Sequence, residues 1–320
     1  MRLKVGFLLL ATAVTLAVWF YPKSVPREEI EVRPVGEQVR LYRHAGGIIE
    51  TIPLEEYVVG VVAAEMPASF PFEALKAQAV AARTYTLRRV VSHGVENNPH
   101  PGSDLCDDPR HSQAYYSRQE LKNTWGALKY YRYYYKVKQA VSETAGLVIT
   151  HNGQLIDPVY HASCGGRTEN AGDVWKFDIP YLKSVACPYD ENTRLIEQKS
   201  FTFVELKQAL APREALASAS GRLNTEGLTL IVTDKTATGR PKEIAVSGVP
   251  VAATTLRERL GLKSTKFTWD IREDHVSFTT FGYGHGVGLC QYGAKGMADH
   301  GSSFDDILHH YYTGVRIVNY

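Results

Sequence analysis

Two hydrophobic rhythms run along the 320-residue chain after a continuous apolar start. Arg2 and Lys4 precede an uncharged run from Val5 to Tyr21, seventeen residues long, and Lys23 follows it. Such a run reaches the lower limit for a membrane-spanning helix. Bulky residues stand in AVWFYPKSVP, where a signal-peptidase site needs small ones. Residues 1–21 therefore read as an uncleaved signal anchor with its basic end cytoplasmic. A cleaved peptide is the alternative, and either reading places the remainder outside the membrane. Residues 22–35 carry prolines and charges with no apolar face and read as a linker.

From residue 36 onward the pattern is that of a folded domain reaching residue 320. Val39 to Ile52 predicts short strands about a Gly46-Gly47 turn, ahead of Pro53 at a helix start. In the next stretch Leu54, Tyr57, Val58, Val61 and Val62 recur at helical spacing and predict a core-facing helix. Glu65 continues that series, within roughly 20° of Leu54 at about 100° per residue. A carboxylate is thus aimed along the buried face just before Met66-Pro67 ends the helix. Burial disfavours its charged form, so it can hold a proton near neutral pH, as a general acid must. An alanine-rich helix over Phe72–Val91 follows, with Lys76 and Arg83 seven apart on one face and short side chains between them. Those cations either flank a partner's approach or form a solvated edge, with Glu65 paired to one of them.

Further on, Ser117 to Thr144 predicts helix, closed by Gly146 and containing five tyrosines between Tyr130 and Tyr135, most of them packing residues. Two β-prone runs flank His151-Asn152-Gly153-Gln154 and predict a hairpin. The middle third alternates short helices, over Ser200–Ala211 and from Thr254 or Thr255 through Leu260, with strands at Leu228–Val232, Glu243–Val246, Lys266–Ile271 and His275–Thr280. It carries no catalytic pattern and reads as scaffold. A helix begins near Gln291, and Ser303 caps a last one over FDDILHHYYTG. The fold class is α+β: a membrane anchor, then a mixed helix and β-hairpin extracytoplasmic domain with a smaller β-rich subdomain.

Composition narrows the chemistry. With 36 basic and 34 acidic residues, net charge +2, nothing favours nucleic acid as a partner. The loop from Ser92 to Tyr116 holds His100, Cys106 and His111 at a spacing that suits zinc. Three ligands plus water, or Asp104 completing the set, is one reading, and ordinary loop residues are the other. No HExxH helix exists, which excludes the usual zinc peptidase. Cys164 and Cys187 can form a disulfide in an extracytoplasmic compartment, leaving Cys106 and Cys290 single. In PYLKSV, Tyr181 and Lys183 face opposite Leu182 if the segment is extended. Six of the seventeen positions in GYGHGVGLCQYGAKGMA are glycine, so backbone shape is specified there. Its His285 either bonds that loop to itself or serves the site.

EEYVVGVVAAEMP, ALKAQAVAARTY, HASCGGRTENAGDVW with PYLKSV, and GYGHGVGLCQYGAKGMA with ILHHYYTG follow one another in this order. Together they resemble the motif blocks of the stage II sporulation protein D family, from near Val35 to the C-terminus. The resemblance implies a membrane-anchored lytic transglycosylase acting on peptidoglycan glycan strands, with Glu65 as catalytic acid. Substrate contacts fall on Lys76, Arg83, Tyr181, Lys183 and His285. No cofactor is required, although some members bind zinc through a Cys-x4-His-Cys pattern that this loop matches only in part. It also implies stage II sporulation proteins P and M as partners at the sporulation septum, on the mother-cell membrane side. Amidase-enhancer proteins share the blocks but are usually longer, with wall-binding repeats absent here.

One special carboxylate suits a lytic transglycosylase, because the muramic acid C6 hydroxyl closes on C1 and no second carboxylate is needed. A glycan hydrolase would recruit another, from Asp157, Glu169 or Asp173. A non-catalytic activator of a partner amidase or endopeptidase would keep the sugar contacts and need no acid.

Overall fold

The hairpin about Gly46-Gly47 forms as β1 (Gln38–Arg43) and β2 (Ile48–Pro53), paired antiparallel from Gln38 opposite Pro53 to Arg43 opposite Ile48. It belongs to a computed structural model of the chain that describes residues 38–91, 100–190, 195–210 and 228–320. The signal anchor of residues 1–21 and the linker of 22–35 both lie within residues 1–37, outside that range. No helix among the described residues is long and apolar enough to cross a membrane.

From Pro53 the chain enters α1 (Leu54–Glu65), whose stripe of Leu54, Tyr57, Val58, Val61 and Val62 is buried. Met66 turns extended and Pro67 follows, so Glu65 is the last helical residue. The alanine-rich α2 (Phe72–Val91) is the central rod of the larger core. Ala74, Ala77, Ala79, Ala81 and Ala82 have no exposed surface, so other elements close around it on nearly every side. These include α1, α3 (Arg118–Glu143), and two C-terminal helices, α7 (Gln291–Asp299) and α8 (Phe304–Tyr311). Short alanine side chains permit those approaches. A capping box of Ser117 and Glu120 starts α3, and Gly126, at φ 70°, breaks it.

The loop between α2 and α3 contributes β3 (Leu105–Cys106), which adds parallel to β1. After α3, β4 (Leu147–His151) and β5 (Gln154–Leu155) make the expected hairpin, with Asn152 and Gly153 both at positive φ. β6 (Tyr160–His161) and α4 (Ala171–Val174) follow. The smaller core is β-rich: β7 (Ile196–Thr202), α5 (Phe203–Leu210), β8 (Leu230–Lys235), β9 (Pro241–Val246), β10 (Val249–Ala252), α6 (Ala253–Leu260), β11 (Phe267–Arg272) and β12 (His275–Phe281). Two antiparallel sheets, β10-β9-β8 and β11-β12-β7, contribute Ile244, Val276 and Phe278 to it, and the helices contribute Leu206 and Leu256. The chain then returns to the larger core through β13 (Leu289–Cys290), α7, α8 and β14 (Arg316–Asn319). β13 pairs parallel with β6, and β14 pairs antiparallel with β4.

Three local expectations are corrected. α5 begins at Phe203 rather than Ser200, because Ser200 is spent in β7 opposite Ser277. The side chains of Thr202 and Glu205 cap it. α6 begins at Ala253 with no side-chain cap, so Thr254 and Thr255 lie in its first turn. All four cysteines are buried and free, so Cys164 and Cys187 are not bridged.

Candidate functional site

Glu65 ends α1 at the edge of a cavity of about 360 Å³. Its walls come from α2 (Tyr85 and Arg89), the loop before α3 (Pro109–Gln113), the approach to β6 (Pro158–Tyr160), Trp175 and His285. Five segments far apart in sequence therefore converge on one carboxylate. Burial raises Glu65 to about pKa 7, although the Ala114 N–H donates to its Oε1 at 2.7 Å and pulls the other way. Desolvation wins because no cation among the described residues offsets it. Glu65 is the only carboxylate among the lining residues.

The wall that carries Ala114 is fixed from two directions. Tyr160 Oη donates to Gln113 Oε1 at 2.8 Å, and Gln113 Nε2 donates to Thr86 Oγ1 at 3.1 Å. Thr86 in turn donates to the Ala82 carbonyl of α2 at 2.8 Å. On the opposite side, His285 is locked as a neutral ring. Its Nδ1 accepts from the Val287 N–H at 3.1 Å, so its Nε2–H donates to the Tyr160 carbonyl at 3.0 Å. Burial lowers its pKa to about 4. Both ring nitrogens thus serve the backbone, while the ring lines the cavity 5.2 Å from the Trp175 ring centroid. The glycine pattern around it has a direct cause: Gly284 has φ 116°, and a Cβ there would meet the His161 Cβ at 2.6 Å.

Lys76 and Arg83 are not at the cavity. Arg83 is fully buried, with Nε and Nη2 on the Glu55 carboxylate at 2.8 and 2.7 Å. It also donates to the carbonyls of Leu147 and Val141 at 3.2 Å each. The short side chains beside it admit the protein's own core, not a ligand. Lys76 pairs with Glu73 at 3.1 Å and Glu143 at 2.8 Å, fastening α2 to α3. Leu182 is buried, but its N–H bonds the Ile179 carbonyl at 3.0 Å in a turn rather than the expected extended segment, and neither Tyr181 nor Lys183 lines the cavity. Tyr181 Oη accepts from the Asp157 N–H at 2.9 Å, and Asp157 pairs with cavity-lining Arg89 at 2.9 Å. Lys183 pairs with Asp178 at 2.5 Å. The candidate second carboxylates are also engaged elsewhere. Glu169 is buried against Arg240 at 2.8 Å, and Asp173 bonds Asn170 and Lys242.

Sequence reasoning missed Tyr85, Arg89, Gln113, Tyr160 and Trp175. Trp175 and Tyr160 lie in or beside the HASCGGRTENAGDVW block, which was the available signal.

The loop's metal-ligand cluster has a fourth member that spacing did not suggest. Donor atoms of His44, His100, Cys106 and His111 lie within 4.8 Å of one another. His44 follows β1, and the parallel pairing of β1 with β3 brings it to Cys106. Asp104 is instead held by Arg40, through Nη2 at 2.6 Å and Nε at 3.2 Å. The His44 Nδ1 contacts Asp107 Oδ1 at 2.5 Å, an outer carboxylate of the kind that orients zinc-bound imidazoles. Three imidazoles and one thiolate make a closed set suited to structural zinc. His111 belongs to both this cluster and the cavity wall.

A family model described as stage II sporulation protein matches residues 42–151. Stage II sporulation protein D of Bacillus subtilis (strain 168) is 41% identical over 302 residues, covering 94% of this chain and 84% of that protein. The stage II sporulation protein D of Bacillus amyloliquefaciens is 39% identical over 280 residues, covering 87% and 78%. The amidase enhancer of Bacillus subtilis (strain 168) is 29% identical over 308 residues, covering 82% of this chain and 40% of that protein.

Proposed function

The chain belongs to the stage II sporulation protein D family of sporulation proteins, and from that premise we propose that it is a lytic transglycosylase of peptidoglycan glycan strands. The observation that carries this reading is the solitary Glu65 carboxyl, which holds its proton up to about pH 7 in a cavity with no other acid. A hydrolase needs two carboxyl groups across the scissile bond. In the proposed reaction Glu65 donates its proton to the glycosidic oxygen as the C1–O bond breaks. The muramic acid C6 hydroxyl then bonds to C1, and its proton returns to Glu65. The products are a 1,6-anhydro end and a new free hydroxyl on the leaving sugar.

Trp175 offers exposed ring surface for sugar stacking, whereas the Tyr85 ring is covered by the Arg89 guanidinium 3.2 Å above its centroid. Arg89 and Arg110, both on the wall, are paired with Asp157 at 2.9 Å and Asp108 at 2.5 Å, and an acidic sugar substituent would have to share or displace those partners. His285 is too weakly basic to exchange protons near neutrality and acts through Tyr160 and by contact. Tyr181 holds Asp157, and Asp157 orients Arg89, so its contribution is to position that guanidinium. Lys183 stays a candidate contact for a longer strand. The reaction requires no cofactor. Zinc held by His44, His100, Cys106 and His111 would stiffen the wall ending at Gln113 and take no part in proton transfer. We further propose a membrane anchor in residues 1–21, an extracytoplasmic domain at the septum, and stage II sporulation proteins P and M as partners.

The likeness to an amidase enhancer supports a second reading, an activator that grips glycan without cutting it. One experiment separates the two: the full chain and Glu65→Gln are incubated with peptide-stripped glycan strands and the products are analysed by mass spectrometry. Anhydro-ended fragments from the unmodified chain alone are the expected result. Reducing ends would point to a hydrolase, and binding without products to the activator.

A further inference from the structure

Where β13 pairs with β6, the side chains of Cys164, Cys187, Asp190 and Cys290 bring one donor atom each within 4.8 Å of one another. All four are buried, and three of the chain's four cysteines are used. We propose that this cluster is a second metal site, binding a thiophilic divalent cation of the zinc class through three thiolates and one carboxylate.

Geometry is the first support. Cys290 Sγ lies 3.4 Å from Asp190 Oδ2. A tetrahedral zinc with ordinary Zn–S and Zn–O bonds has a sulfur-to-oxygen edge of about 3.5 Å. The contact is a thiol-to-carboxylate hydrogen bond without metal and a coordination edge with it. The glycine of α7 that faces the cluster leaves it room: a Cβ on Gly293 would meet Cys187 Sγ at 2.2 Å and Tyr311 Oη at 2.1 Å.

The surrounding donors favour sulfur in its anionic form. The N–H groups of Cys164 and Gly293 point at Cys290 Sγ, at 3.3 and 3.4 Å, and Cys290 sits at the start of α7. Tyr311 Oη lies 3.0 Å from Cys187 Sγ, placed to donate to a thiolate. Asp190 is oriented by Ser163 Oγ at 2.8 Å and the Gly165 N–H at 2.7 Å, the outer bonds that ligating carboxylates keep. These contacts give a metal ready-made second partners for its ligands.

Charge is the third support. The nearby buried cation, Arg240, is already paired with Glu169 at 2.8 Å and donates to the Cys164 carbonyl at 2.8 Å. A buried carboxylate beside three sulfurs is costly without a counter-charge. A disulfide would consume two sulfurs and leave the third thiol and Asp190 as they are, whereas a divalent cation engages all four. Binding releases the thiol protons to solvent, with no change of oxidation state. The site would clamp the segments after β6, before α7 and at Cys187, which together back Tyr160 and His285.

The test measures zinc per chain in purified full-length Cys106→Ser/His100→Ala, which leaves the His44 cluster two ligands and no thiolate. Retention of one zinc, and its loss when Cys187→Ser is added, are expected. Should the triple variant not fold, cobalt reconstitution of the double variant must still give an intense thiolate-to-cobalt charge-transfer band. Residue-by-residue alkylation of the unmodified chain should show Cys164, Cys187 and Cys290 becoming reactive together when chelator is added. A metal-free double variant with no charge-transfer band, or a disulfide among the three cysteines, overturns the proposal.

Discussion

Ala114 donates its backbone N–H to Glu65 Oε1 at 2.7 Å, joining the proposed acid to the loop that ends at α3. The carboxyl therefore keeps one orientation whether protonated or not, with burial setting its affinity for the proton. For cleavage, this predicts that kcat/KM on peptide-free strands falls about tenfold per pH unit above pH 7. His285 cannot supply that limb, since its pKa is lowered to about 4. A rate that stays flat from pH 6 to pH 9 would remove Glu65 from the acid role.

The same proton is a stability term. Because the folded-state pKa lies above that of an unfolded glutamate, Glu65 contributes stability that is complete below the ordinary carboxylate range and lost as pH rises through 7. Glu65→Gln keeps an oxygen for the Ala114 N–H and lacks the charge. Relative to the unmodified chain it should gain on the order of 1–3 kcal/mol at pH 8 and little at pH 4. Urea denaturation at the two pH values measures the difference, and an equal effect at both would contradict the burial argument.

Arg83 provides a contrast between structure and function. Arg83→Met strands the carbonyls of Leu147 and Val141 and leaves the half-exposed Glu55 to water, so a loss of about 1–3 kcal/mol is expected. The fraction that remains folded should bind glycan with unchanged affinity. Weakened binding at unchanged stability would restore Arg83 as a substrate contact.

Gly60 tests the wall from the other side. A Cβ there would meet the Tyr115 ring at 2.3 Å and the Tyr116 carbonyl at 2.7 Å. Gly60→Ala must push Tyr115 outward and take the neighbouring Ala114 with it, at a cost of about 1–3 kcal/mol. Cleavage should fall at least tenfold while the far-ultraviolet circular dichroism is kept. Unaltered cleavage would mean that the Ala114 contact is dispensable.

Helical periodicity made α1 and α2 legible, and with them the inward aim of Glu65, because both are local properties of a 3.6-residue repeat. It could not say what covers the other side of α2. Lys76 and Arg83 share a face as spacing predicts, yet the occupants of that face are Glu143 and Glu55. The approach of His44 to Cys106 depends on a strand pairing, as does that of Cys290 to Cys164, and no local spacing encodes either. The same limit hid Arg89, Tyr160 and Trp175, whose side chains meet only after the loops have closed. Ser200 misled for a simpler reason: serine suits a helix cap, but here the preceding strand extends through Thr202 and uses it first.

The way α2 is enclosed has a kinetic consequence. Gln291 Nε2 reaches Gln78 Oε1 from 213 positions away, and the Phe304 N–H reaches Glu73 from 231. The central rod is thus completed by segments 213 and 231 positions downstream of the residues they meet. Contacts of such long sequence separation form slowly, since loop closure precedes the gain they bring. Until α7 and α8 dock, part of the alanine face of α2 stays uncovered. The closing of this core is thus delayed by connectivity alone.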